Sequence, residues 1–142
     1  MTQPRVDFYL LNEKVPDGKL RTACRLTQKA LSQGYTAYIQ TTDSEQAGRL
    51  DDLLWTFDQG SFIPHSRENG DPVPVIIGGD PPEENPPELL ISLGREVPEH
   101  FHVYRRIAEV VDPSDDEKQL ARQRYKVYRD RSYEIETHRI NP

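Results

Sequence analysis

The sequence predicts an α/β domain built on a mostly parallel β-sheet. Segments with strand and helix character alternate from the N-terminus onward. Leu89–Leu93 (LLISL) is a continuous apolar run, the pattern of a parallel strand covered on both faces. A 142-residue chain with 35% hydrophobic and 30% charged residues can bury one real core without being membrane-bound or disordered. One domain over residues 1–142 is therefore expected.

Val6–Leu11 (VDFYLL) reads as the first strand, rich in β-forming residues. Pro16-Asp17-Gly18 is a turn. Leu20, Cys24, Thr27 and Leu31 then recur at helical spacing, so this helix packs on one face. Gly34 closes it, as a glycine just past a helix end commonly does. Thr36–Thr41 is the second strand. Thr42-Asp43-Ser44-Glu45 has the capping-box form and opens a second helix with Ala47, Leu50, Leu54 and Phe57 inward. Strand, helix, strand, helix at this spacing defines βαβ units and a parallel sheet.

Gly70–Pro87 is rich in proline and acidic residues, with Val73–Ile77 as a short strand and Asp80–Pro87 as an exposed loop. Pro98–Tyr104 is expected to form a short helix and Ile107–Val111 a strand. Ser114-Asp115-Asp116-Glu117 is a second capping box, placed where a basic helix should start. Ser132–Pro142 is either a last edge strand or a tail.

Several function classes are disfavoured by what the chain lacks. Gly78-Gly79-Asp80 follows a strand but fits neither the Walker pattern nor G-x-G-x-x-G, so a turn is expected and no nucleotide cofactor. His100 and His102 stand at i, i+2 with no further ligand set, so no metal is expected. Asp51 and Asp52 are adjacent and cannot share a helix face, and Cys24 sits at a core position, as a packed thiol does. No constellation for acid–base or nucleophilic catalysis is present. The single cysteine and the absence of a signal-peptide pattern lead to the expectation of a reducing cytoplasm.

One charge pattern stands out. The net charge is −6, yet residues 117–131 hold six basic side chains against two acids, +4 in all, which leaves −10 for the rest. At about 100° per residue, Lys118, Arg122, Tyr125 and Arg129 share one face with Lys126 beside it, while Leu120, Ala121, Val127 and Tyr128 form the expected core arc. Two readings compete: a solvated helix face, or a local site for something negative. Tyr125 among the cations favours the second, since a merely solvated face has no need of it. Trp55 and Phe62, in the segment Leu50–His65, are either core residues or the apolar half of a pocket near that helix. Such a pocket would suit a short acidic peptide with a hydrophobic end.

The FYLL of Phe8–Leu11, the L-W…S-F-x-P-H pattern within Leu50–His65, LLISL and above all KQLARQRYKVYR at Lys118–Arg129 resemble the chi subunit of bacterial DNA polymerase III. The resemblance spans nearly the whole chain and is weakest over Gly70–Pro87. It implies a Rossmann-like three-layer fold with neither a nucleotide site nor catalysis. It implies an accessory role in the clamp-loader assembly through the psi subunit, for which a helicase could compete. It also implies binding to the acidic C-terminal tail of single-stranded DNA-binding protein, which ends in Pro-Phe. The positions implied for that tail are Trp55, Phe62, Val111, Lys118, Arg122, Tyr125 and Lys126. Contact with DNA would then be indirect. The alternative is a direct single-stranded nucleic-acid binder that stacks bases on Tyr125 and Trp55, against which the −10 charge outside the basic segment argues.

Overall fold

A computed structural model describes residues 3–58, 63–67 and 73–142. β1 (Arg5–Leu11), α1 (Gly18–Ser32), β2 (Ala37–Gln40) and α2 (Ser44–Thr56) follow the expected order, and β3 (His65–Ser66), β4 (Val75–Gly78) and β5 (Leu89–Ser92) come next. A 3-10 turn at Phe101–Val103 leads into β6 (Arg106–Val111), α3 (Asp115–Asp130) and β7 (Glu134–Ile140). The strands form one sheet in the order β3-β4-β2-β5-β6-β1-β7, and every neighbouring pair is parallel.

Strand alternation divides the core into two layers. Leu11, Ile39, Ile77, Ile91 and Val110 meet α1 and α2 through Leu20, Cys24, Leu50 and Leu54. Val6, Phe8, Tyr38, Leu90 and Ile107 meet α3 and the segment around the 3-10 turn through Ala121, Tyr128 and Tyr104. Helices thus cover both faces of the sheet, which is why β5 at its centre reads as an unbroken apolar run. Burial pushes the Cys24 thiol up to about 12, in keeping with a packed side chain.

Local geometry departs from the sequence expectations in three places. The cap of α2 is Asp43, one residue later than Thr42: its carboxylate accepts from the Gln46 N–H at 2.8 Å, and Gln46 Oε1 accepts from the Thr42 N–H at 2.8 Å. The expected helix at Pro98–Tyr104 is a single 3-10 turn, because His100 takes a left-handed conformation (φ 61°) that a continuous helix cannot contain. β3 was not anticipated, since two residues are too few to show periodicity. Asp80–Pro87 is a loop, as expected, with half of its residues exposed, and it is tied down: Tyr38 Oη donates to the Asp80 carbonyl and Tyr104 Oη to that of Pro82, both at 3.0 Å. Tyr38 Oη passes so close to Gly78 that a Cβ there would collide with it, so that position needs glycine.

In doubly wound sheets, nucleotides bind at the carboxyl ends of the strands, where the helices part. Here Lys19 of α1 spans that crevice. Its Nζ donates to Glu117 Oε1 of α3 at 2.7 Å and to the Leu93 carbonyl, just past β5, at 3.0 Å. Both side chains are largely buried, so the contact ties the two helix layers together.

β7 is the outer strand and is pinned to β1 by a polar cluster on the α1 side. Arg5 Nη2 lies 2.9 Å from Asp7 and 2.7 Å from Glu136, and His138 Nε2 lies 2.8 Å from Asp7 Oδ1. Burial works to raise the Asp7 carboxyl, but the hydrogen bonds from Arg5 and His138 prevail and hold it below the usual carboxylate value. A carboxyl lowered by folding adds stability that is full above its unfolded value, near 3.8, and is lost as pH falls through its folded value. Asp7→Asn should therefore destabilise the protein at pH 7 by about 1–3 kcal/mol. It should also flatten the loss of stability on acidification, as read by denaturant unfolding at pH 7 and pH 3.

Candidate functional site

α3 starts at Ser114, whose Oγ accepts from the Glu117 N–H at 3.3 Å. Asp115, Asp116 and Glu117 occupy the first turn and Arg129 the last, the distribution that a helix dipole favours. The Glu117 side chain does not close the expected capping box. It turns away to Lys19 and accepts from the Asp112 N–H at 3.4 Å.

The buried stripe of α3 is Ala121, Arg124 and Tyr128. Of the expected core arc, Ala121 and Tyr128 are buried and Leu120 is half-buried, but Val127 is 36% exposed. Its place is taken by Arg124, a basic residue that the helical spacing assigns to neither the cationic face nor the core arc. Arg124 Nε lies 3.2 Å from Glu109 Oε1 of β6, and the two side chains are 2% and 0% exposed. Tyr128 Oη donates to Glu109 Oε2 at 2.7 Å, and Arg124 Nη1 donates to the Arg95 carbonyl at 2.7 Å. Arg124 Nε and Glu109 Oε1 are close but poorly aligned, and among the described residues neither atom has a hydrogen-bond partner. Burial pushes the Glu109 carboxyl up, against the pull of Arg124, Tyr128 and Ser92. This contact fixes how far α3 is rotated about its axis.

With that stripe facing down, Lys118, Arg122, Tyr125, Lys126 and Arg129 turn toward β7. They line one wall of a groove of about 460 Å³. Phe8 and Leu10 of β1, with Ala121, form its floor, and Thr137 and Arg139 of β7 form the other wall. Strand register explains the pairing: Phe8 stands beside Thr137 and Leu10 beside Arg139, all on the α3 face. Tyr125 is 41% exposed, and its ring lies 6.0 Å from that of buried Phe8, so aromatic surface continues from the wall into the floor.

Five cations line this groove and no acid does. Among the described residues, Lys118, Arg122, Lys126 and Arg139 have no ion-pair partner, and Arg129 has only an exposed contact with its neighbour Asp130 at 3.4 Å. The groove therefore offers unneutralised positive charge over an apolar base. Such a surface matches an acidic, extended ligand carrying an apolar group, with no reacting group assembled at its centre.

Of the seven positions implied for the site, Lys118, Arg122, Tyr125 and Lys126 come together here. Val111 is 1% exposed. It stands beside Leu10 in the sheet, where it supports the floor and offers no contact surface. Trp55 is not in the groove. It lies on α2, which packs on the other face of the sheet, where it is 52% exposed with its ring 4.5 Å from that of His65. The largely buried His65 ring is held by the Ile63 carbonyl and Asp51 Oδ1, each at 2.6 Å, so it forms a fixed base for the indole. Phe62 lies outside the described residues. The sequence reading did not place Phe8, Leu10, Thr137 and Arg139 in the site. Period-two alternation sets Phe8 with Leu10 and Thr137 with Arg139, and the register of β7 on β1 brings the two pairs to one face.

The fold and groove define a parallel α/β protein that carries a cationic groove over an apolar floor. Comparison with known proteins identifies the family: residues 1–136 match the family model described as DNA polymerase III chi subunit, HolC. DNA polymerase III subunit chi of Pseudomonas aeruginosa is 38% identical over 137 residues, covering 96% of each chain. The Escherichia coli protein of that name is 32% identical over 142 residues, covering 92% of this chain and 94% of its own. The chain belongs to the DNA polymerase III chi subunit family. A Saccharomyces cerevisiae Dbp5 structure with Nup159, Gle1, IP6 and ADP shares the fold alone, with a TM-score of 0.60 at 10% identity over 97% of this chain and 42% of that one. Among the described residues, no helix is long and apolar enough to cross a membrane.

Replacing Arg124 by Met leaves Glu109 buried without its cation and should cost about 3–5 kcal/mol. The paired change Arg124→Met with Glu109→Leu should recover most of that loss, measured by thermal and denaturant unfolding. A double variant no more stable than the single one would contradict the contact.

Proposed function

We propose that this chain is a non-catalytic adaptor of the polymerase assembly, acting as one domain over residues 1–142. In this reading the groove between α3 and β7 takes the acidic C-terminal tail of single-stranded DNA-binding protein. The observation that carries it is the union of five cations with an apolar floor of Phe8 and Leu10. Carboxylates of the tail meet Lys118, Arg122 and Lys126, and its apolar end rests on Phe8, Leu10 and Tyr125.

An adaptor needs a second surface that does not overlap the first. The exposed Trp55, on the opposite face of the sheet, supports placing psi there and leaves the groove free. A helicase that competes with psi would use that same face. Contact with DNA is then indirect, in line with −10 of charge outside the basic segment.

Calorimetry with an acidic peptide ending in Pro-Phe tests the reading. Arg122→Ala should weaken binding by about 1–2 kcal/mol without changing the fold, because Arg122 is exposed and the groove is open to water. Affinity should fall between low and high salt. Trp55→Ala should bind the peptide as the parent protein does. Micromolar binding of a single-stranded oligonucleotide in physiological salt would instead favour a nucleic-acid module, and unchanged peptide affinity in Arg122→Ala would remove the groove assignment.

A further inference from the structure

The β7 wall of the groove has a feature that its side chains do not use. In the parallel pairing with β1, the main chains of Glu134, Glu136, His138 and Ile140 point inward: the Glu134 N–H donates to the Pro4 carbonyl and the Asn12 N–H to the Ile140 carbonyl. Ile135, Thr137 and Arg139 alternate with them. Their N–H and C=O groups therefore point away from the sheet. β7 ends the strand order, and among the described residues no hydrogen bond is made to these three outward main chains.

The same residues carry the groove wall. Thr137 and Arg139 direct their side chains to the α3 face, toward the cations of the helix, while their main chains face the open edge. An exposed edge of this kind is a template for an added strand. β7 is also held in place beforehand, since Arg5, Asp7, Glu136 and His138 lock it to β1 from the other face.

We propose that the outer edge of β7 is the second wall of the binding site, and that an extended acidic segment docks there as an added strand. This inference rests on the groove being the tail site and adds how the tail is held. The apolar end of the segment sits on Phe8, Leu10 and Tyr125. The preceding residues run along β7 and exchange main-chain hydrogen bonds with Thr137 and Arg139. Side chains of an added strand alternate between the two faces. Every second acidic residue thus faces the α3 cations with Arg139 beside it, and those between face solvent. Arg139 becomes a specificity-determining residue, the cation that closes the groove from the strand side.

The test uses the full chain and the acidic Pro-Phe peptide, with two series of backbone N-methylated peptides. In one series the even positions carry the methyl group; in the other, the odd positions. One series should lose roughly tenfold or more in affinity and the other little, because only alternate N–H groups of an added strand face its neighbour. Amide exchange of Thr137 and Arg139 should slow on binding by roughly tenfold or more, while that of His138, already paired to β1, should not change. Arg139→Ala should weaken the peptide several-fold at an unchanged melting temperature. If the unmodified peptide binds yet both methylated series bind equally well and exchange at Thr137 and Arg139 is unaltered, edge docking is overturned and the groove reading stands. If the unmodified peptide fails to bind the folded protein, both fall.

Discussion

The buried contact between Arg124 and Glu109 sets the orientation on which the cationic groove depends. Hydrophobic attraction is non-directional, so an apolar stripe fixes the rotation of a helix on a sheet by shape alone and leaves some freedom. A guanidinium that must reach one carboxylate on β6 and one carbonyl at Arg95 removes that freedom. Tyr128 joins the same carboxylate and adds a second fixed point one turn on. Isolated burial of either ionisable group would be strongly unfavourable, so the arrangement is all-or-none. Its consequence lies on the adjacent face, where Lys118, Arg122, Tyr125 and Lys126 are delivered together to the groove.

The groove combines charge and apolar surface in a way that suits reversible capture. Its cations lie over an apolar floor, with no acid in its lining to neutralise them. The rest of the molecule is acidic, which discourages strands of nucleic acid from spreading over it and confines attraction to one place. An open, partly hydrated site gains modestly from each ion pair. For the proposed ligand, selectivity then comes from matching charge with an apolar anchor and not from any single contact.

Much of the fold was legible because its signals are local. The helical repeat of Leu20, Cys24 and Thr27, the apolar run Leu89–Leu93 and the cap at Ser114 each depend on a few neighbouring residues, and the structure has elements at each. Shorter features escaped: two residues of β3 carry no period, and the left-handed His100 that cuts a helix to one turn has no strong sequence mark. Within α3 the cationic face followed from spacing. The core arc followed only in part, because hydrophobicity favoured Val127 while the partner Glu109, fifteen residues earlier and on another element, drew in Arg124.

The sequence by itself determined the class of the fold, the presence of a basic helix with an aromatic among its cations, and the family. Periodicity, composition and matched segments carry that information locally. Tertiary structure alone decided what those residues make together. It buried Arg124 and Val111, put Trp55 on the far side of the sheet, and set Phe8, Leu10, Thr137 and Arg139 opposite α3. The reason is strand order: β7 folds back beside β1, so residues about 130 positions apart share one wall and floor, and no pattern within either strand states that neighbourship.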